Sequence, residues 1–248
     1  MNAVAENEYV SWLRGFGAGL RRPHAIVAIS AHWQSRDLRV TAREHAGQVY
    51  DFLGFPRELY EVQYSPPGHP ALAERVAGLS GAALDQVREL DHGVWSVLLH
   101  LFPGAGIPVV QLSMPLRVPP QRHFEIGASL RPLLSEDVLI LGSGNIVHNL
   151  SMIDFGYEGP TPHDYAQNFD RWFVEALESG QPERLLNYEG APDWRRAVPT
   201  TEHYLPALYI LGLMGSERKA RPIYRGFQNR SISMTCFEVA GEPEPSQD

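Results

Sequence analysis

The sequence predicts an α/β protein, a single domain with a largely parallel central sheet flanked by helices. Three short apolar runs rich in β-branched residues are typical of buried strands, at residues 24–30, 107–113 and 138–142. Stretches with helical character separate these runs along the chain. Near-continuously apolar strands that alternate with helices indicate a parallel sheet covered by helices.

The remaining elements follow from local patterns. Five helices are predicted, over residues 71–76, 94–102, 119–134, 164–177 and 203–213. Residues 41–68 mix glycine, proline and aromatic residues without a period, so we expect an ordered loop there. Residues 222–227 and 231–239 predict two final strands.

Composition bounds the class of protein. The 248 residues are 44% hydrophobic, carry a net charge of -8 and show no repeat or composition break. We therefore expect one domain over residues 1–240, followed by a flexible polar tail over residues 241–248. The chain has no basic cluster and no apolar run near ~20 residues, so neither nucleic acid nor a membrane is an expected partner. The single cysteine, Cys236, is predicted to be a buried core thiol, and its lack of a disulfide partner favours a cytoplasmic location.

Three histidines lie in distinctive settings. His32 comes just past the first predicted strand, and His148 follows the small-residue turn at residues 142–145. His203 lies where a helix is predicted to open, with Thr201 as a possible cap. An α/β sheet gathers residues from strand ends at one edge, and imidazoles collected there suit Fe(II) or Zn(II). These positions therefore indicate a metal site and an enzyme.

Other catalytic motifs are missing from the sequence. Gly142-Ser143-Gly144 has the wrong spacing for a dinucleotide fingerprint or a nucleophile elbow, and no P-loop occurs. His123, near a predicted helix start, is a further candidate for a role near the site. Surface, capping or packing roles are expected for five other histidines, namely His24, His45, His69, His100 and His163.

Several segments in one order resemble the extradiol ring-cleaving dioxygenases of the 4,5-DOPA dioxygenase type, within the class III superfamily of the protocatechuate 4,5-dioxygenase catalytic subunit. The resemblance spans nearly the whole chain. The matching segments are residues 22–27, 30–33, 51–56, 59–60, 64–68, 90–95, 108–113 and 123–127, with those around His148 and His203. Residues 1–240 would then form the catalytic domain.

The resemblance implies a mononuclear non-haem Fe(II) site, in which Zn(II) can take the place of iron. It implies that His32 and His203 are metal ligands. His148 would lie beside the metal as the acid/base residue, close enough to ligate it in a zinc-loaded form.

The resemblance also implies the reaction: insertion of O2 into a catechol ring next to the diol, giving a semialdehyde-type product. His92 would line the pocket and contact a substrate or oxygen atom, while His123 and Asn145 are candidate substrate-binding residues. The alternative is a zinc-binding, non-enzymatic protein on the same fold. A zinc hydrolase has less support, because no glutamate base accompanies a metal motif.

One family feature is missing from this sequence. Family members carry an N-terminal strand that ends in Gly-His-Gly-Ser-Pro, whose histidine is a metal ligand. Residues Asn2 to Trp12 resemble the family segment that comes directly after that motif. The sequence therefore favours a misassigned start over a true truncation, and the activity of the chain without that ligand stays open.

Overall fold

The structure, a computed structural model, describes residues 2–157, 159, 161–216 and 218–241. The chain divides into two compact units: unit 1 holds residues up to Arg117 together with Leu130–Ser143, and unit 2 holds Val118–Ser129 and the chain from Gly144 onward. The domain boundaries expected from the sequence stay a prediction. The expected tail, apart from Gly241, lies outside the described residues.

Unit 1 is built on a five-stranded sheet in the order β3-β2-β4-β1-β5. The strands are β1 Ala25–Ser35, β2 Arg39–Thr41, β3 Ala83–Asp85, β4 Val109–Pro115 and β5 Val138–Ser143. Strand β1 pairs in parallel with both β4 and β5, β2 pairs in parallel with β3, and only the β2–β4 pairing among these is antiparallel. The central strands are almost fully buried, as their apolar runs predict. The predicted α/β class with a largely parallel sheet is confirmed.

Of the four α-helices among the described residues of unit 1, the third and fourth contact this sheet and the first packs against the fourth. They are α1 Glu8–Gly19, α2 Arg57–Glu61, α3 Pro70–Ser80 and α4 His92–Leu101. Helix α3 begins where the His69 ring accepts a hydrogen bond from the Leu72 backbone, so His69 has the capping role expected of it. Helix α4 packs through the fully buried Trp95 and Leu98.

Unit 2 combines helices with two antiparallel strand pairs, β6–β9 and β7–β8. Its helices are α5 Pro120–Ser129, α6 Asp164–Glu178, α7 Pro182–Leu186, α8 Trp194–Ala197 and α9 Leu205–Gly212, and its strands are β6 Arg218–Tyr224, β7 Phe227–Gln228, β8 Ile232–Ser233 and β9 Cys236–Gly241. Helices α5 and α9 approach so closely that a Cβ on Gly127 would lie 2.0 Å from the Tyr209 carbonyl oxygen. Glycine at this crossing lets the two backbones touch.

Three sequence predictions need correction. The helix predicted over residues 119–134 ends at Ser129 and gives way to a 3-10 helix over Arg131–Glu136, because Pro132 disfavours α geometry at the residue before it. The two predicted final strands form four short strands, because pairing passes from β6–β9 to β7–β8 after Tyr224 and back again before Cys236. Cys236 is half-buried and not a core thiol, because β9 belongs to a two-stranded ribbon.

No helix among the described residues combines the length and the apolar character that crossing a membrane requires.

Candidate active site

His32 lies inside strand β1, so the expectation that it would follow the strand end was wrong. The β1–β4 register runs from Ile26 to Ile29, becomes irregular, and resumes at Gln34 opposite Met114. The strand therefore continues past its apolar run to Ser35. A register irregularity of this kind re-aims side chains locally. In unit 1 the ring of His32 lies 3.9 Å from the ring of His92, measured between centroids.

His92 is the first residue of helix α4 and is anchored by a carboxylate. Its Nδ1 lies 2.8 Å from Asp51 Oδ1, and its backbone N–H donates to the same oxygen at 3.0 Å. The Phe52 ring meets the imidazole edge-on at 5.4 Å. Because an ionised carboxylate only accepts hydrogen bonds, Nδ1 carries the proton, and Nε2 of the neutral ring is an acceptor.

The Asp51–His92 contact favours an ionised carboxylate. Burial opposes ionisation of Asp51, but hydrogen bonds from the ring and backbone of His92 outweigh it and lower the pKa of Asp51. The Asp51 side chain is 23% exposed and that of His92 is 16% exposed. Both groups are therefore partly accessible, as a reactive site requires.

Three side chains of unit 1 offer atoms that fit a metal ion. Within the described part of the chain, ligand atoms of His32, Asp51 and His92 all lie within 4.8 Å of one another. Two imidazoles and one carboxylate form a donor set that suits first-row transition metals. Asp51 Oδ1, however, already accepts two hydrogen bonds from His92.

In unit 2, His148 and His203 stack face to face. Their ring centroids are 3.5 Å apart and their planes differ by 8°. The backbone N–H of His148 donates to the Ala197 carbonyl at 3.0 Å, and His148 forms a β-bridge with Ile232. The sequence prediction singled out both histidines, and the fold brings them into contact.

The approach of the two histidine segments depends on Gly144. The Asn145 backbone N–H donates to the His203 carbonyl at 2.9 Å, and a Cβ on Gly144 would lie 2.2 Å from that same oxygen. Only glycine fits this contact between two backbones. His203 lies in the turn before α9, which begins at Leu205, and does not open the helix as predicted. Thr201 contacts the start of α9 through its backbone carbonyl, which accepts a hydrogen bond from the Leu205 N–H at 3.1 Å.

The two candidate substrate-binding residues both have protein partners within unit 2. Asn145 Nδ2 donates to the Ser233 carbonyl at 2.8 Å, which ties the turn before His148 to strand β8. His123 is 1% exposed, and its Nδ1 lies 3.1 Å from the Tyr209 hydroxyl. Burial lowers the pKa of His123 to about 4, so the ring is neutral near pH 7. A substrate contact at either residue stays a prediction.

Two carboxylates beside the histidines, Asp51 and Asp91, were not predicted from the sequence. Asp91 is fully buried and caps helix α4 by accepting from the Val94 backbone N–H. Its place before an apolar helix signals a cap. The neighbouring sequence gives no sign of its other hydrogen-bond partners, Gln111 and Ser30, which lie 20 and 61 residues away along the chain.

The family description "catalytic LigB subunit of aromatic ring-opening dioxygenase" matches residues 5–237, nearly the whole chain. The chain belongs to the LigB family. This membership confirms the resemblance found in the sequence and makes the protein an aromatic ring-opening dioxygenase.

Relatives of this LigB-family chain match most of its length. The chain is 37% identical over 246 residues to the 4,5-DOPA dioxygenase extradiol of Escherichia coli (strain K12), covering 96% of this chain and 90% of that protein. It is 37% identical over 225 residues to the 4,5-DOPA dioxygenase extradiol of Beta vulgaris, covering 88% and 83%. A crystal structure of an uncharacterized Escherichia coli K12 protein matches with a TM-score of 0.83 at 34% identity, covering 96% of this chain and 94% of that one.

Proposed function

We propose that this LigB-family protein is a metal-dependent extradiol dioxygenase that acts on a catechol. It inserts both atoms of O2 at the ring bond next to the diol and releases a semialdehyde-type product. The relatives named 4,5-DOPA dioxygenase extradiol support a catecholic substrate.

The observation that carries the proposal is the pairing of the predicted histidines. His32 contacts His92 in unit 1, and His148 stacks on His203 in unit 2. Neutral imidazole serves both as a metal ligand and as a base near neutral pH. Pairs of imidazoles therefore suit a reaction that needs a metal ion and a proton acceptor.

The donor chemistry fits the metal that the resemblance implies. His32 and His203 are the proposed ligands, and imidazole nitrogens suit both Fe(II) and Zn(II). When bound, Fe(II) would lower the pKa of the catechol hydroxyls and activate O2, whereas Zn(II) would provide only the first effect. His148 is proposed as an additional ligand in a zinc-loaded protein.

His148 and His92 have separate proposed roles. The hydrogen bond from its backbone N–H to Ala197 fixes the chain at His148, and stacking on His203 orients its ring, which takes a proton from a catechol hydroxyl and later returns one. His92, with its Nδ1 proton directed to Asp51, presents Nε2 as an acceptor for a substrate hydroxyl. Asp51 fixes this tautomer of His92.

The alternative of a zinc-binding, non-enzymatic protein has less support, because the relatives are named as dioxygenases. The cytoplasmic location expected from the sequence stays a prediction.

The test is oxygen uptake by the Fe(II)-loaded protein, prepared anaerobically, with a panel of catechols that includes DOPA and caffeate. We expect a product heavier than the substrate by the mass of O2 and bearing an aldehyde. His148→Ala should lower the rate by about a hundredfold or more, because a positioned acid/base group contributes about that much. His24→Ala, at an exposed position of unit 1, is the control and should leave the rate unchanged.

If the protein binds metal but consumes no oxygen with any catechol of the panel, the proposal is wrong and the non-enzymatic alternative is favoured.

A further inference from the structure

We propose that Asp91 is a positioning residue for the ring-cleavage reaction. It is a buried carboxylate that fixes strand β1 at His32 relative to the start of helix α4 at His92. The inference rests on the proposed function, and it adds a residue that touches neither substrate nor metal.

Asp91 is surrounded by hydrogen-bond donors from three different elements. Its side chain is 0% exposed. Its Oδ1 accepts from the Ser30 hydroxyl at 2.8 Å and from the Val94 backbone N–H at 3.2 Å. Its Oδ2 accepts from Gln111 Nε2 at 2.5 Å, and its own backbone N–H donates to Gln111 Oε1 at 3.3 Å. One side chain thus ties β1, α4 and β4 together.

This network extends to the backbone of His32. The Ser30 hydroxyl that donates to Asp91 also accepts from the His32 N–H at 3.2 Å. The His32 carbonyl accepts from the Arg88 guanidinium at 3.4 Å, and that guanidinium lies 4.0 Å from Asp91 Oδ2. Both polar groups of the His32 backbone therefore bond to neighbours of Asp91.

His32 needs this support because the sheet register is irregular where it lies. The β1–β5 register ends at Ser30, and the β1–β4 register breaks between Ile29 and Gln34. Helix α4 packs closely against this part of β1. A Cβ on Gly93 would lie 2.4 Å from Ser30 Oγ and 3.0 Å from His32 Cδ2. Small errors in the angle of α4 would therefore shift both imidazoles.

Capping alone does not explain Asp91. An exposed serine, asparagine or aspartate caps a helix equally well, whereas burying a carboxylate carries a large desolvation cost that several donors must offset. A buried carboxylate with partners in three elements is suited to specifying one geometry. Here the geometry that Asp91 fixes is that of β1 and α4, which carry His32 and His92.

The first test is Ser30→Ala, which removes the link between Asp91 and His32 without changing charge or the α4 cap. The matched control is Ser80→Ala, since Ser80 is also a buried serine of unit 1 whose hydroxyl bonds backbone groups, those of Val76 and Ala82. We measure kcat and KM with DOPA, the urea unfolding midpoint, and the imidazole NMR signals of His32 and His92.

Both variants should lose similar stability. Only Ser30→Ala should lower kcat, by about tenfold to a hundredfold with little change in KM, and shift the two imidazole signals. Equal kcat values and unshifted signals in the two variants would overturn the inference. Wild-type protein that consumes no oxygen would instead count against the proposed function, and the NMR comparison would still test the positioning of His32 and His92.

The second test exchanges the two ends of one hydrogen bond. In Asp91→Asn, the asparagine NH2 group replaces Oδ2 and faces the Gln111 NH2 group. Two donors cannot bond each other, so the positioning contact is lost and kcat should fall. In Asp91→Asn with Gln111→Glu, the new amide donates to the new carboxylate, while the asparagine oxygen still accepts from Ser30 and Val94. Positioning predicts that the double variant regains kcat to within about threefold of wild type. A stably folded double variant with kcat as low as that of the single variant contradicts it.

Discussion

At the scale of single residues, His123 makes the stability of the protein depend on pH. Burial beside Tyr209 lowers the pKa of His123 to about 4, whereas the unfolded chain has the ordinary value near about 6.5. Above pH ~6.5, His123 is neutral in both the folded and the unfolded protein, so it does not lower the free energy of unfolding. As pH falls from there towards the folded pKa, only the unfolded state binds the proton, so stability is lost.

The expected loss from His123 between pH 7 and pH 5 is about 2 kcal/mol. His123→Gln removes the titrating group, so its free energy of unfolding should fall by about 2 kcal/mol less than that of wild type over this interval. Urea unfolding at both pH values checks this. Equal losses in the two proteins would show that His123 is not the titrating group.

The Asp51 carboxylate supports His92 and is not expected to bind the metal. Asp51→Asn keeps one acceptor oxygen but removes the charge that fixes the Nδ1 proton of His92. We expect kcat to fall by about tenfold to a hundredfold, while Zn(II) affinity in equilibrium dialysis stays within about threefold of wild type. Loss of Zn(II) binding would instead favour the set of His32, Asp51 and His92 as ligands.

Among single residues, the sequence singles out the histidines of the candidate site but not its carboxylates. His148 follows a glycine-rich turn, which is a local signal, and the resemblance points to His32, His92 and His203. The role of Asp91 depends on Ser30 and Gln111, which only the fold brings near it. Tertiary burial of this kind leaves no pattern in the neighbouring sequence.

At the scale of elements, the contact between two turns of unit 2 controls the His148–His203 stack. Gly144→Ala places a Cβ 2.2 Å from the His203 carbonyl oxygen, so the two turns must separate and the bond from the Asn145 N–H must lengthen. We expect stability to fall by about 1–3 kcal/mol, with a loss of kcat although no reacting group has changed.

Gly190→Ala is the matched control for Gly144→Ala, because a Cβ on Gly190 meets nothing within 4 Å. It should leave kcat and the unfolding midpoint near the wild-type values. A Gly144→Ala protein with wild-type kcat would show that the stacked arrangement of the two histidines is not needed for turnover.

Element boundaries were the least predictable part of the fold. The apolar run of β1 ends at Ser30, but pairing of Gln34 and Ser35 with β4 extends the strand past His32. The break after α5 was readable from Pro132. The extension of β1 could not be predicted from the sequence, because polar residues such as Gln34 and Ser35 form strand only where a neighbouring strand pairs with them.

At the scale of the whole molecule, the alternation of strands and helices predicts the fold class, because hydrophobic periodicity is a local property. The division into two units is different. Helix α5 belongs to unit 2, although the segments before and after it, up to Arg117 and from Leu130, belong to unit 1. No linker or change of composition marks those crossings in the sequence.

Turnover with isotopically heavy O2 is the most direct test of whether the protein is an extradiol dioxygenase. The Fe(II)-loaded protein is supplied with heavy O2 and the catechol that gives the fastest uptake, and the product is analysed by mass spectrometry and NMR. We predict a ring-opened product that contains heavy oxygen in its new carboxylate and has one aldehyde proton. A quinone without heavy oxygen, or a ring-opened diacid without an aldehyde, would contradict this assignment.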